Sequence, residues 1–134
     1  LTGNDRFKAD LTILMFDYFV PDDEVARFFS VSDLVVQPYR DATQSGVTQV
    51  AYYFDVPMVV TDVGGLREIV PDQEVGFVVP PRHEAIAEAI DRFYTENLAE
   101  PFKENIQKYK VRFTWERMVE NLKTLFRKIS EKTE

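Results

Sequence analysis

The 134-residue sequence contains no cysteine, and that absence excludes several kinds of chemistry at once. Disulfide bonds, thiolate catalysis and cysteine-ligated metal sites all need a thiol group, which this chain does not have. Histidine is almost missing too, since His83 is the only one in the sequence. Any metal site would therefore have to be built from carboxylates.

Positive charge and long apolar runs are also scarce. The formal net charge is −7, and basic residues cluster only in the last predicted helix, so we expect no nucleic-acid partner. No apolar run approaches the roughly 20 residues that a transmembrane helix needs. Residues 1–5 lack the basic start and the apolar block of a signal peptide. These absences predict a soluble protein of the cytoplasm.

Apolar residues are plentiful. They make up 45% of the chain and include 11 Phe beside 6 Tyr, which is enough for one well-filled core. No repeat, low-complexity tract or flexible linker divides the sequence. We therefore expect a single domain over residues 1–134.

Short apolar runs alternate with helical patterns along the chain. Four runs predict strands, at residues 11–16, 34–36, 58–61 and 75–79. Helices are predicted between and after these strands, where apolar residues recur at a spacing of three and four. In the helix that follows the second strand, the predicted buried stripe consists of Val47, Val50, Ala51 and Phe54.

The last predicted helix has the clearest start. Thr114 can cap it, while Phe113 and Met118 occupy the two positions of a hydrophobic staple. The apolar residues expected to dock this helix are Met118, Leu122, Leu125 and Ile129.

This alternation predicts an α/β fold with a parallel sheet and right-handed crossovers. Ligands of such sheets bind beyond the carboxyl ends of the strands. Two loops leave those ends, residues 37–46 after the second predicted strand and residues 62–65 after the third. The first loop leads into a helix N-terminus, where unpaired N–H groups and the helix dipole favour a phosphate. The pattern therefore indicates nucleotide chemistry.

Four segments carry a resemblance to a known family. They are residues 38–47 (PYRDATQSGV), 51–60 (AYYFDVPMVV), 61–70 (TDVGGLREIV) and 76–80 (GFVVP). In this order they resemble the C-terminal, donor-binding half of family 4 glycosyltransferases, and the similarity runs from about Tyr18 to the last helix. The resemblance implies a Rossmann-like parallel sheet in one half of a GT-B fold. It also implies retaining transfer of a sugar from a nucleotide-sugar, without a metal or other cofactor.

The first loop supplies the predicted phosphate site. Ser45, Gly46 and Val47 occupy the first helical turn, and Gly46 would let a phosphate approach the backbone closely. A metal-free enzyme must stabilise the charge that develops on the departing diphosphate, which these N–H groups could do. Thr43 and Gln44 are polar residues that could contact the donor. The alternative is that Thr43 or Ser45 merely caps the helix and Gly46 belongs to a turn.

Further donor-site residues follow from the resemblance. It places Gly64 and Gly65 beside the donor sugar and pyrophosphate, although a glycine pair after a strand is also a common tight turn. Tyr18 and Phe19 fall in the region that contacts the nucleotide base, although aromatic residues at a strand end also pack in cores.

Arg40 and Arg67 are the cations of the two loops. Either could neutralise a diphosphate, although a loop arginine can equally be a solvated or ion-paired surface group. Many family members carry two glutamates around the phosphate loop, and those positions are Ala42 and Val50 here. The catalytic residues therefore stay unassigned.

The resemblance covers only part of a GT-B enzyme, whose separate N-terminal domain binds the acceptor. We therefore expect a fragment that is inactive alone, with a nucleotide-sugar, an unidentified saccharide or lipid acceptor and the missing N-terminal part as its partners. Self-association through an exposed sheet edge is a further expectation, and the whole enzyme could lie peripherally at a membrane. The alternatives are a degenerate, non-catalytic binding module and, more distantly, a sugar-nucleotide epimerase.

Overall fold

The computed structural model describes residues 12–41, 46–113 and 115–133. Its centre is a parallel sheet of three strands, Val35–Gln37 (β1), Met58–Thr61 (β2) and Gly76–Val79 (β3), in the order β1-β2-β3. In the register, Met58 lies between Val35 and Gly76. β2 is therefore the middle strand, and all four of its residues are buried.

Helices flank this sheet. They are Asp22–Val31 (α1), Gly46–Tyr53 (α2), Leu66–Ile69 (α3), His83–Thr95 (α4), Ala99–Tyr109 (α5) and Trp115–Thr133 (α6), with a 3₁₀ turn at Lys110–Phe113 before α6. The predicted α/β class with a parallel sheet flanked by helices is confirmed. Among the described residues, no helix is both long enough and apolar enough to cross a membrane.

The two faces of the sheet have separate cores. On one face, Met58 and Val60 pack against α2, α3 and α5. On the other face, Val59 packs with Phe93 of α4 and Phe102 of α5. Because both faces are covered, β2 is apolar at consecutive positions rather than at alternate ones, as parallel strands usually are.

The first predicted strand is wrong. Its described part, residues 12–16, has no regular secondary structure, and Ile13, Leu14 and Met15 are each more than 70% exposed. A strand needs a neighbour for its backbone hydrogen bonds, and this segment pairs with no described strand. Among the described residues the sheet therefore has three strands instead of the predicted four.

Two predicted buried faces also differ from the structure. In α2 the buried residues are Thr48, Ala51 and Tyr52, whereas Val47 is 38% exposed. In α6, Leu122 and Ile129 are 46% and 54% exposed, so they are less buried than predicted. Apolar spacing identifies a helix, but the neighbouring elements decide which of its faces is covered.

The Thr114 cap lies outside the described residues, as do the Phe113, Met118 and Leu125 side chains.

The turn between α2 and β2 contains a strained residue. Asp55 has a φ of 58°, in the left-handed region where a Cβ costs roughly 1–2 kcal/mol. Its carboxylate accepts a hydrogen bond from Lys110 Nζ at 2.8 Å, which ties the turn to the start of the 3₁₀ segment. Asp55 is therefore strained in its backbone and stabilised through its side chain.

A pair of variants separates these two effects at Asp55. Both Asp55→Gly and Asp55→Ala remove the ion pair, but only alanine keeps a Cβ in the left-handed conformation. We expect the free energy of unfolding to be about 1 kcal/mol lower for Asp55→Ala than for Asp55→Gly. Urea unfolding followed by circular dichroism measures the difference, and an alanine variant as stable as the glycine variant would contradict it.

Candidate functional site

Two loops leave the carboxyl end of the sheet side by side. Residues 38–41 follow β1, and residues 62–65 follow β2. The hydroxyl of Thr61, the last residue of β2, donates a hydrogen bond of 2.6 Å to the backbone carbonyl oxygen of Tyr39. Because Thr61 is only 1% exposed, this bond is shielded from water and holds the first loop against the end of β2, where the second loop begins.

A second buried hydrogen bond positions the start of α2. The Thr48 hydroxyl donates to the side-chain carbonyl oxygen of Gln37 at 3.3 Å, and both residues are buried. This contact joins the first turn of α2 to the end of β1. Sequence reasoning missed Gln37, Thr48 and Thr61, although polar residues at strand ends and in a helical first turn are a signal for such contacts.

The structure describes only some of the residues that are predicted to bind the phosphate. Gly46 is the first described residue of α2, and a Cβ built on it would meet no heavy atom within 4 Å. Val47 is partly exposed beside it. Thr43, Gln44 and Ser45 lie outside the described residues. Among the described residues, therefore, nothing fills the space into which a side chain at position 46 would project.

The two glycines of the second loop have different roles in the fold. Gly64 has a φ of 55°, a conformation that glycine adopts more easily than other residues. Gly65 has a φ of −91°, and a Cβ built on it would meet nothing within 4 Å. The positive φ of the turn therefore explains why residue 64 is a glycine. At position 65, neither the backbone conformation nor the packing requires a glycine.

The two loop arginines have different surroundings. Arg67 makes a two-point ion pair with Asp62, with Nε to Oδ1 at 3.1 Å and Nη2 to Oδ2 at 2.8 Å. This hydrogen-bonded pairing lowers the pKa of the Asp62 carboxyl and raises the pKa of Arg67. Arg40 makes no ion pair within the described part of the chain. Arg40 is therefore the loop cation without a competing carboxylate there.

Arg40 also borders a groove of about 390 Å³ between the first loop and the start of α4. The groove has both cationic and apolar lining residues, namely Pro38, Tyr39, Arg40, Pro81, Arg82, His83, Glu84 and Ile86. His83 is highly exposed, and its Nε2 lies 2.9 Å from Glu84 Oε1. Sequence reasoning missed this groove because its far wall comes from the third loop of the same sheet edge, after β3.

Tyr18 and Phe19 lie on the segment before α1. The Tyr18 hydroxyl donates a hydrogen bond of 2.9 Å to Glu24 Oε2, which raises the pKa of Tyr18. Its ring also meets Phe16 edge to face. Phe19 is 90% exposed. Among the described residues, neither Tyr18 nor Phe19 makes a hydrogen bond or ring contact with the two loops.

Comparison with known sequences gives three findings. A sequence model of the family described as glycosyl transferases group 1 matches residues 6–96. TuaC of Bacillus subtilis (strain 168), whose name assigns it provisionally to glycosyl transfer in teichuronic acid biosynthesis, is 30% identical over 82 residues, or 61% of this chain and 21% of TuaC. An uncharacterized glycosyltransferase of Methanocaldococcus jannaschii is 29% identical over 114 residues, or 81% of this chain and 32% of the relative.

A solved structure is also similar. Sucrose-phosphate synthase from Thermosynechococcus elongatus matches with a TM-score of 0.70 and 26% identity, over 81% of this chain and 28% of that one. The chain therefore spans about a fifth to a third of the length of these three relatives.

Proposed function

Because the chain belongs to the glycosyl transferases of group 1, we propose that it forms the donor-binding portion of a retaining glycosyltransferase. The donor is a nucleotide-sugar, and a hexosyl group passes to a saccharide or lipid acceptor held with the help of the remaining part of the enzyme. The main support is the hydrogen bond between Thr61 and Tyr39. It holds the first loop against the end of β2, where the second loop begins, at the carboxyl edge of the sheet, where ligands of α/β proteins bind.

The diphosphate of the donor would lie at the start of α2. A helix N-terminus carries unpaired N–H donors and a partial positive charge, and no described residue lies within 4 Å of the position that a Cβ on Gly46 would take. The Gln37 to Thr48 contact anchors the same turn, so the donors are oriented before the ligand arrives. Oriented donors stabilise the charge of the leaving group without reorganising during the reaction. In this proposal the protein supplies that charge stabilisation without a metal or other cofactor.

Gly64 and Gly65 would lie beside the sugar and the diphosphate. Gly65 supports this placement because the fold itself does not require glycine there. Thr43, Gln44, Ser45 and Val47 complete the proposed phosphate loop. Tyr18 and Phe19 are proposed to contact the nucleotide base.

Arg40 is the proposed cationic partner of the diphosphate. We expect Arg40→Met to weaken the binding of a nucleoside diphosphate about three- to tenfold, because one charge-assisted contact is lost. Arg67→Met is the matched control, since Arg67 is already paired with Asp62. Isothermal titration calorimetry on the 134-residue chain measures both. Equal losses in the two variants would show that Arg40 has no specific role.

An amide-shift titration tests the binding site directly. Adding nucleoside diphosphates and nucleotide-sugars to isotope-labelled protein should shift the amide resonances of Gly46, Val47 and Gly65. Shifts confined to other parts of the protein, or no shifts at all, would refute the proposed donor site.

The second candidate function is a non-catalytic binding module. It is favoured by Ala42 and Val50, which stand where many members of the resembled family have glutamates. Transfer of radiolabelled sugar by the full-length protein, and none by the 134-residue chain alone, is the result that our proposal expects. Donor binding without transfer by the full-length protein would favour the binding module.

A further inference from the structure

A buried hydroxyl group lies at the end of the middle strand. The other three residues of β2, Met58, Val59 and Val60, are apolar, and all four are buried. Burying a hydroxyl costs free energy unless it is hydrogen-bonded, and valine, which is also β-branched, would have almost the same shape as Thr61. The sheet and the core therefore do not require a hydroxyl at position 61.

The first loop leaves the sheet beside this hydroxyl. The register between β1 and β2 ends at the pair of Gln37 and Val60, so the next pair would be Pro38 and Thr61. Pro38 has no backbone N–H with which to continue the ladder. The Thr61 hydroxyl donates to the carbonyl oxygen of Tyr39, one residue further on. This side-chain contact therefore extends the attachment of the first loop past the end of β1.

The backbone that follows Thr61 is held by other bonds. The Asp62 N–H donates to the Val79 carbonyl oxygen at 2.7 Å, and the Val63 N–H donates to the Thr61 carbonyl oxygen at 2.9 Å. Neither bond involves the Thr61 side chain, so both remain when the hydroxyl is removed. The loss of the hydroxyl should therefore affect the first loop and leave the second loop in place.

The attached residue, Tyr39, directly precedes Arg40. The Tyr39 carbonyl and the Arg40 N–H belong to one planar peptide group, so a bond that fixes the carbonyl also fixes the backbone from which the Arg40 side chain starts. Arg40 is exposed, and a long exposed side chain has many conformers. Restraint at its backbone reduces the freedom that remains to be lost when the guanidinium binds an anion.

We propose that Thr61 is a positioning residue for the donor diphosphate and that it acts through Tyr39 to orient Arg40. Thr61 itself touches no ligand in this arrangement. Its hydroxyl holds the first loop so that the Arg40 guanidinium is directed before the donor arrives. The proposal rests on the proposed function, because it needs a diphosphate within reach of Arg40.

A double-mutant cycle on the 134-residue chain tests this role. The probe is whichever of uridine, guanosine or adenosine diphosphate the unaltered chain binds most tightly in calorimetry. Thr61→Val removes the hydroxyl, and we expect it to weaken binding about three- to fivefold. In the Arg40→Met background, the same substitution should change the affinity by less than about 1.5-fold, because the residue through which Thr61 acts is then absent.

Amide resonances without ligand report the position of the loop itself. In isotope-labelled protein, Thr61→Val should shift the resonances of Arg40 and Asp41 more than those of Gly65 and Leu66. Thr61→Ser keeps the hydroxyl, so it should leave these resonances nearly unchanged and the affinity within about 1.5-fold of the original.

Phe93→Leu controls for a general loss of stability. Phe93 is buried in the core on the face of the sheet opposite to the one against which Tyr39 packs. This substitution should lower the unfolding temperature because it leaves a cavity, yet the affinity should stay within about 1.5-fold of the original. A loss of affinity equal to that of Thr61→Val would overturn the positioning role, since the effect would then follow stability.

The outcomes separate this role from the proposed function. If the unaltered chain bound none of the three diphosphates, the donor site and the positioning role would both be refuted. Three results would overturn the positioning role alone: unchanged affinity in Thr61→Val, an equal loss with and without Arg40, or a Thr61→Ser variant that binds as weakly as Thr61→Val.

Discussion

Gly76→Ala is expected to lower the free energy of unfolding by about 3 kcal/mol or more. A Cβ on Gly76 would overlap the backbone carbonyl oxygen of Met58 and come within 2.9 Å of its backbone nitrogen. These are main-chain atoms of the middle strand, so no side-chain rotation can relieve the overlap. β2 and β3 would have to move apart, which weakens the hydrogen bonds between them and opens the core on both faces of the sheet.

Gly65→Ala is the matched control for this prediction. Its backbone has an ordinary φ of −91°, and the added Cβ meets nothing within 4 Å. We expect its stability to stay within about 0.5 kcal/mol of the original protein. Urea unfolding followed by circular dichroism compares the two variants. If Gly76→Ala unfolds at the same urea concentration as Gly65→Ala, β3 does not approach the backbone of β2 this closely at position 76.

The second large effect is expected on ligand binding. Gly46→Val should weaken the binding of a nucleoside diphosphate by about 1–3 kcal/mol, roughly 5- to 150-fold. The new side chain would occupy the space through which a phosphate reaches the backbone of the first turn of α2. The fold should persist, because among the described residues no atom beyond its chain neighbours and its own helix lies within 4 Å of the added Cβ.

Gln49→Val is a suitable control because it lies on the exposed side of the same helix. It introduces the same side chain, and we expect its affinity to remain within about twofold of the original, since it creates no obstruction at the first turn. Calorimetric titration gives the affinities, and thermal unfolding checks that both variants are folded. Equal affinity of Gly46→Val and the unaltered protein would exclude the start of α2 as the phosphate site.

Local patterns were sufficient for several elements of the fold. The predicted strand at residues 58–61 coincides with β2, because an apolar run with β-branched residues after a proline is a local signal. β3 begins one residue later than predicted, at Gly76. The alternation of these strands with helices also indicated the parallel sheet.

Features that depend on distant neighbours were not predictable in the same way. Residues 12–16 resemble a strand in composition, yet strand formation requires a pairing partner that local composition does not reveal. Leu122 and Ile129 have the spacing of a docked helix, yet they are exposed in α6. In both cases the sequence shows what a segment could bury, but not whether anything covers it.

The sequence by itself determined the fold class and the two glycine-containing loops at the carboxyl edge of the sheet. The spacing of apolar residues, the positions of glycines and the order of strands and helices can all be read from residues that are close together in the chain. Only the tertiary structure decided how the first loop is held against the end of β2 and which arginine has an acidic partner. The hydrogen bond from Thr61 to Tyr39 joins residues that are 22 positions apart in the sequence. The ion pair with Asp62 distinguishes Arg67 from Arg40, and the sequence does not reveal that contact. Such contacts depend on the distance and direction between side chains, which are established only when the sheet and its helices have packed.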